Sequence, residues 1–320
     1  MPATTAPRAL QVFDPILTGI ARSYRPRGFI ARQLLPTIPV QTLSGQYPVF
    51  TKDYWFQNDV DNEGTDRAPA KEVDFEWSME PYLAKEYKLK VSITDLERSQ
   101  AVSQLRLEQS KTEFLTGRME LAHEIRVAAL LKKAAAGTPG GLNLGAAPSV
   151  NWDQATATIE ADIKTGVFAI YDAIGALPNV MVIPYKVAYE MALQEDIRAI
   201  LRSDATGQGV DFLTLGSRII PSVIHGMRVI IPEGAQSDSA REGGTSSISE
   251  IWGDDVRLLY VDPGAGWGMP TVAYHLVHTA KRVTRWSQTD PDIDYVRELE
   301  RYSLKVVAPD AGYEIQDVLS

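Results

Sequence analysis

From Leu107 to Ala136 apolar residues return every three to four positions, at Leu107, Phe114, Leu121, Ile125, Ala128 and Ala129. Charges fill the gaps: Glu108, Lys111, Glu113, Arg118, Glu120, Glu124, Arg126, Lys132 and Lys133. That spacing predicts one helix with a narrow apolar stripe. Gly137-Thr138-Pro139-Gly140-Gly141 supplies the glycine and proline that end a helix. At 1.5 Å per residue the helix is roughly 45 Å long. Periodicity alone suits an ordinary core helix as well as a spine that carries extended elements outward.

Upstream the period changes to two. Val73, Phe75, Trp77 and Met79 alternate with Asp74, Glu76 and Ser78, and after Pro81 the residues Tyr87, Leu89, Val91 and Ile93 alternate with Lys88, Lys90 and Ser92. Tyr47 to Phe56 reads as the partner strand, and Gln57 to Ala70, polar and acidic with Gly64 and Pro69, as the loop between them. The pattern predicts a long hairpin of roughly 20 residues per arm, a reach of about 65 Å. A lone two-stranded ribbon is marginal in water, and ordering its backbone costs on the order of 1–2 kcal/mol per residue. The Val73–Met79 face therefore needs cover, from the chain's own core or from a neighbouring chain. Residues 94–105 read as a short helix capped by Thr94 or Asp95.

Residues 1–45 read as an arm broken by Pro2, Pro7, Pro15, Pro26, Pro36 and Pro39. It carries five arginines (Arg8, Arg22, Arg25, Arg27, Arg32) against one acid, Asp14. Such an arm is a solvated terminus, or it lies on another subunit or faces a polyanion. Residues 137–151, rich in Gly, Pro, Ala and Asn, mark a boundary. From Trp152 the texture becomes α/β: a helix over Asp153–Gly175, a buried strand over Val180–Ile183, and a helix opened by Pro184 and running to Leu201. A strand over Met227–Ile231 follows, then a loop over Gln236–Ser247. A hairpin of Ile248–Trp252 with Val256–Val261 and a strand over Thr271–His278 complete this part. The tail from Lys281 to Ser320 is extended and expected to return as strands beside the spine.

Composition sets limits on function. The chain has 320 residues, 44% hydrophobic and 23% charged, with net charge −9, which argues against general DNA or acidic-membrane binding across the whole surface. It has no cysteine, hence no disulfide and no thiolate chemistry. No apolar run approaches the length of a membrane span, and MPATTAPRAL has no signal-peptide core. Gly264-Ala-Gly266-Trp-Gly268 lacks the dinucleotide spacing and leads into a strand rather than a helix. His275 and His278 face opposite sides of a strand and make poor joint ligands, and His123 fits a packing or surface role on the spine. Asp292 and Asp294 read as a solvated acidic face beside arginines, and Asp254-Asp255 as a turn. Nothing assembles a nucleophile, a base and a stabiliser, so no catalytic, cofactor or metal residue is assigned.

The order of these pieces resembles the tailed double-stranded DNA phage major capsid proteins of the Hong Kong 97-like fold. Leu177-Pro-Asn-Val-Met-Val-Ile-Pro184 followed by a helix, and Ile251-Trp-Gly-Asp-Asp-Val-Arg-Leu-Leu-Tyr-Val261, resemble the axial domain of one branch of that family. Ser44-Gly-Gln-Tyr-Pro-Val-Phe50 with Asp53-Tyr-Trp-Phe56 resembles the start of its extended loop. The resemblance covers nearly the whole chain and implies an α+β fold. It divides the chain into an N-terminal arm (1–45), an extended loop or β-hairpin (46–93), a peripheral domain with the spine helix (94–150), an axial α/β domain (151–278) and peripheral return strands (279–320). It implies a non-enzymatic shell subunit that assembles with itself as hexamers and pentamers into an icosahedral head. The shell would hold double-stranded DNA non-specifically, with no cofactor and no membrane partner. The virion is then the expected location, after assembly in the host cytoplasm.

Tyr54, Trp55, Phe56, Phe75 and Trp77 would be the apolar anchors at the subunit interface, and Arg8, Arg22, Arg25, Arg27 and Arg32 the inner basic arm. With the hairpin starting near residue 46, no long leading scaffold segment is visible. A separate scaffold protein is expected, with a portal and decoration proteins as further partners. Lys52 and Lys71 lie in the loop region but match no cross-link motif. Two alternatives stand beside this reading. One is a nanocompartment shell resembling encapsulin. The other is an α/β enzyme or ligand-binding protein with a pocket near Gly264–Gly268.

Overall fold

In the computed structural model the described residues are 12–26, 28–49, 78–100, 106–135, 140–195, 197–198, 212–215, 218–234, 236–238, 248–289 and 292–320. Strand β1 (Val12–Phe13) leads into helix α1 (Pro15–Ser23). Asp14 caps α1, its Oδ1 accepting the N–H groups of Ile16 and Leu17 at 3.0 Å, and Pro15 sits where its missing N–H costs nothing. After α2 (Ala31–Leu34) and β2 (Thr37–Pro39), strands β3 (Ser44–Val49) and β4 (Ser78–Leu83) pair antiparallel, Tyr47 opposite Glu80. Strand β5 (Lys85–Thr94) runs into α3 (Asp95–Gln100). A reciprocal cap starts α3: Glu97 N–H donates to Thr94 Oγ1 at 3.2 Å, and Thr94 N–H donates to the Glu97 carboxylate at 3.1 Å. The spine helix α4 follows (Leu107–Leu130).

The second half opens with β6 (Leu144–Ala146) and α5 (Ile159–Ile174), closed by Gly175 at φ 69°. Then come β7 (Val180–Val182), α6 (Tyr185–Met191), β8 (Phe212–Leu215), β9 (Arg218–Pro221), β10 (Val223–Ile224) and β11 (Met227–Ile230). The chain continues through β12 (Gln236–Asp238), β13 (Ile248–Glu250), β14 (Val256–Leu259), β15 (Ala273–Thr289), β16 (Asp292–Val306) and β17 (Gly312–Ile315). One large sheet has the order β1-β15-β16-β5, with β2 parallel on β15; the other runs β10-β11-β7-β14-β17-β6. The β3–β4 ribbon belongs to neither.

Several elements differ from the sequence expectation. The spine stops at Leu130, not Ala136. Its end is claimed from outside: Arg257 Nε donates to the Leu131 carbonyl at 3.0 Å, and Lys132–Ala134 exchanges backbone bonds with Leu142. Strand β5 joins β16 in the large sheet instead of extending the hairpin. Helix α5 starts at Ile159 because residues 151–157 turn on i+3 bonds around the buried Trp152, whose Nε1 donates to Asp162 at 3.0 Å. Helix α6 ends at Met191, where Leu193 and Gln194 turn on carbonyls three residues back. Strands β13 and β14 do not pair with each other. The first pairs β12, within the expected loop, and the second fills the sheet centre between β7 and β17.

The β15–β16 ladder is broken by register shifts between Val277 and Thr279 and between Thr279 and Arg282. Tyr274 and Leu276 are buried on one face before the break and His275 on the other, and Lys281 and Val283 continue the His275 face after it. Two such irregularities in a row leave the strand in phase. The main core joins α2, the C-terminal turns of α4, α5 and the second sheet, and a smaller cluster of Leu17, Ala21, Ile93, Val283 and Val296 seats α1.

Candidate assembly surfaces and the polar joint

The spine buries a different face from the one its sequence pattern suggested, and that face mixes apolar with polar side chains. Its buried positions are Thr112, Leu115, Thr116, Met119, Glu120, His123, Glu124, Val127 and Ala128. Phe114 is 59% exposed, Ile125 is exposed as well and Leu121 is half-buried. Of the expected stripe, only Ala128 is fully buried and Leu107 packs at the edge of the α1 cluster. Burying two glutamates and a histidine is tolerable only where partners meet them.

Those partners come from three other elements. Arg32, just inside α2, places Nε 3.0 Å from Glu120 and Nη2 2.9 Å from Glu300 on β16. Lys281, on the same face of β15 as His275, pairs with Glu120 and lies 3.6 Å from Glu298. Thr116 donates to Glu298 at 2.7 Å. Glu124 accepts the N–H groups of Ile30 and Ala31 (3.1 and 2.9 Å) and the indole N–H of Trp252 (2.8 Å). Burial pushes the Glu120 carboxyl up, but the Arg32 and Lys281 charges outweigh it and hold the group at about 2. Burial raises Glu124 and Glu298 above the usual range, the cations and donors around them only partly opposing it.

His123, His275 and Tyr302 form an edge-to-face triangle with ring centroids 5.0–5.3 Å apart. His275 Nδ1 meets Thr37 Oγ1 at 3.3 Å, while neither ring nitrogen of His123 has a hydrogen-bond partner among the described residues. Burial lowers both imidazoles, His275 to about 3, with Arg32 adding to the effect. Sequence spacing separated His123 from His275; only the fold of the helix onto β15 brings them together.

A second joint ties the spine's end to the other sheet. Arg257 is fully buried over the Trp252 ring, donating to the Leu131 and Trp252 carbonyls and paired with Glu314 at 3.1 Å and Asp255 at 3.4 Å. A cation at a helix C-terminus also answers the helix dipole. Asp254, Asp255 and Asp317 cluster here, but Asp255 is already engaged by Lys132, Arg257 and the Asp317 N–H.

Of the anchor residues, Tyr54, Trp55, Phe56, Phe75 and Trp77 lie outside the described residues, as do Lys52, Lys71, Arg8 and Arg27. Arg22 and Arg25 are exposed, Arg22 donating to the Lys281 carbonyl at 2.9 Å. Arg32 is corrected: it does not face outward but serves the internal joint, because it supplies a cation to buried Glu300 and shares Glu120 with Lys281. Asp294 pairs with Arg98, as its setting among arginines suggested. Near Gly264–Gly268 there is only an open hollow of about 420 Å³ lined by Gln46, Pro48, Met79 and Trp267, with no convergent polar groups.

No family model matches the chain. Over 97% of its length, and 97% of the relative's, the chain is 24% identical to the major capsid protein of Burkholderia phage BcepMu. Among solved structures it superposes on a phage-related protein from Bordetella bronchiseptica RB50 with TM-score 0.72 and 20% identity, covering 97% of this chain and 98% of that one. The capsid of cyanophage P-SCSP1u gives TM-score 0.60 at 10% identity over 92% and 89%. An encapsulin complex from Synechococcus elongatus PCC 7942 gives 0.51 at 13% over 99% and 92%. The fold is therefore the α+β capsid fold of Hong Kong 97-like phages, and the relatives that share it are structural proteins, not enzymes. Within that fold the chain aligns over nearly its whole length with a phage major capsid protein.

Proposed function

We propose that this chain assembles with itself, as hexamers and pentamers, into an icosahedral head shell that encloses double-stranded DNA. The observation that carries the reading is the β3–β4 ribbon. It pairs with neither large sheet and is seated on one of them only through Tyr47 and Tyr82, in a chain whose fold matches a cyanophage capsid over 92% of its length. Two strands alone are marginal, Met79 and Leu83 stay exposed, and a neighbouring copy is the natural cover for them. In this proposal residues 1–45 are the arm and 46–93 the loop that lies on the next subunit. Residues 94–150 and 279–320 are the peripheral domain, and 151–278 the axial domain. Tyr54, Trp55, Phe56, Phe75 and Trp77 anchor the loop. Arg8, Arg22, Arg25 and Arg27 supply a weakly basic inner surface of the non-specific kind that counterion release favours. Scaffold, portal and decoration proteins are separate partners, and assembly takes place in the host cytoplasm.

Negative-stain microscopy with light scattering on the purified chain tests this. Closed shells are the expected outcome, and a monodisperse monomer at every concentration, with or without added scaffold, overturns it. The encapsulin likeness supports a second reading, a cargo compartment. Shells isolated from the native source separate the two: nucleic acid inside supports the head, and a protein cargo without DNA supports the compartment.

A further inference from the structure

At the foot of the ribbon two hollows of about 560 and 340 Å³ share Leu130, Leu304 and Lys305 and so form one groove. Its apolar lining includes Val49, Pro81, Leu83, Leu130 and Leu304. Its charge is one-sided. Lys85, Arg126 and Lys305 line it, and the one acid there, Glu80, accepts the Tyr47 hydroxyl at 2.8 Å. Several cations of this acidic chain hold carboxylates, among them Arg32, Arg98, Lys111, Lys132, Arg257, Lys281 and Arg301. Lys85, Arg126 and Lys305 hold none among the described residues. Arg126 and Lys305 instead sit over the rings of Tyr87 and Tyr47, at 3.9 and 5.7 Å.

We infer that this groove receives an acidic segment of a second copy of the chain, Gln57–Asp66. That stretch carries Asp59, Asp61, Glu63 and Asp66 with no cation among its ten residues, and Val60 sits between the first two acids. Four carboxylates with an apolar residue complement three cations around an apolar floor. A duplex, by contrast, presents phosphates as a regular row with no apolar component. The inference rests on the shell reading and names the receiving surface for the loop that reading lays across a neighbour. Exchange between copies follows if the groove is filled in trans.

A synthetic Gln57–Asp66 peptide titrated onto the unassembled full-length chain gives the direct test. Saturable binding is expected, weakened at least tenfold by Lys85→Glu with Lys305→Glu. Both side chains reach solvent, so thermal melts of the variant should match the parent. In assembly, the Lys85→Glu/Lys305→Glu chain and an Asp59→Lys/Asp61→Lys/Glu63→Lys chain should each need at least tenfold higher concentration to form shells. A chain carrying both sets should return to within threefold of the parent. Absence of peptide binding, a duplex that occupies the groove at lower concentration than the peptide, or failure of the combined reversal overturns the inference. Peptide binding without shells would sink the shell reading and spare the groove. Shells indifferent to every reversal, with no peptide binding, would sink the groove and spare the shell.

Discussion

At the residue scale the molecule keeps its polar groups where charge is most costly and balances them one by one. His123 and His275 are the uncharged part of that arrangement. Arg32 near α2, Glu120 on α4, Lys281 on β15, and Glu300 and Tyr302 on β16 surround them. Both imidazoles are depressed by burial, so the unfolded chain binds protons that the folded chain refuses. Their contribution to stability is complete above the ordinary histidine value of about 6.5 and is lost as pH falls below it, for His275 down to about 3. Each histidine adds a slope of up to about 1.4 kcal/mol per pH unit in that window. Glu120, held at about 2, loses its contribution only below the ordinary carboxyl range, while Glu124 and Glu298, raised by burial, act with the opposite sign. His123→Phe, which keeps the ring packing, should therefore flatten the fall in melting temperature between pH 6.5 and 5. Parallel melting curves for parent and variant across that range would contradict the assignment.

At the scale of elements, the spine shows where sequence reading succeeds and where it does not. The helix and its position were legible from the 3.6-residue period, and the α3 cap from Thr94 and Glu97. The face it buries was not, because hydrophobicity asks which residues avoid water and says nothing of partners arriving from residues 32, 281, 298 and 300. Phe114 and Ile125 of the expected stripe remain on the outside. Replacing Phe114 and Ile125 together with serine should change the stability of the isolated chain by less than about 1 kcal/mol, since exposed sites rarely cost more than about 0.5 each. The same pair should raise the concentration needed for shell formation if the stripe is covered on assembly. A large loss of melting temperature in the unassembled chain would show that the stripe is already covered within one copy. Of the second sheet, β7, β11 and β14 were legible as short apolar runs, whereas β6 lay in the expected linker and β17 in a tail expected beside the spine. Their order was not, because β14 finds β7 and β17 across long stretches of chain and only the assembled core decides between such pairings.

At the scale of the whole molecule, the described arm, the spine and both sheets form one connected body, and the ribbon is seated on it by Tyr47 and Tyr82, buried with Ile38, Tyr274 and Leu276. Residues 30–35 are part of the main core rather than a free extension, so the arm is structural at least from there on. The ribbon's described ladder ends at Val49 opposite Ser78. Replacing residues 50–77 with Asn-Gly, which favours a two-residue hairpin turn, should leave a folded chain with the parent's far-ultraviolet dichroism and an unchanged melt of the main core. It should form no shells. Shells from the trimmed chain would remove the loop from any role in assembly.

The irregularity in β15 has a consequence for how such a chain can change. Across its two register shifts β15 runs five residues, Val277 to Arg282, while β16 runs three, Leu299 to Tyr302. The surplus is two residues, and an even surplus brings the strand back into phase. His275 before the break and Lys281 and Val283 after it therefore lie on one side, where His275 meets His123 and Lys281 meets Glu120. The surplus can vanish only as a pair without turning part of the strand over, so loss of both extra residues should leave a continuous ladder with the same side chains inward.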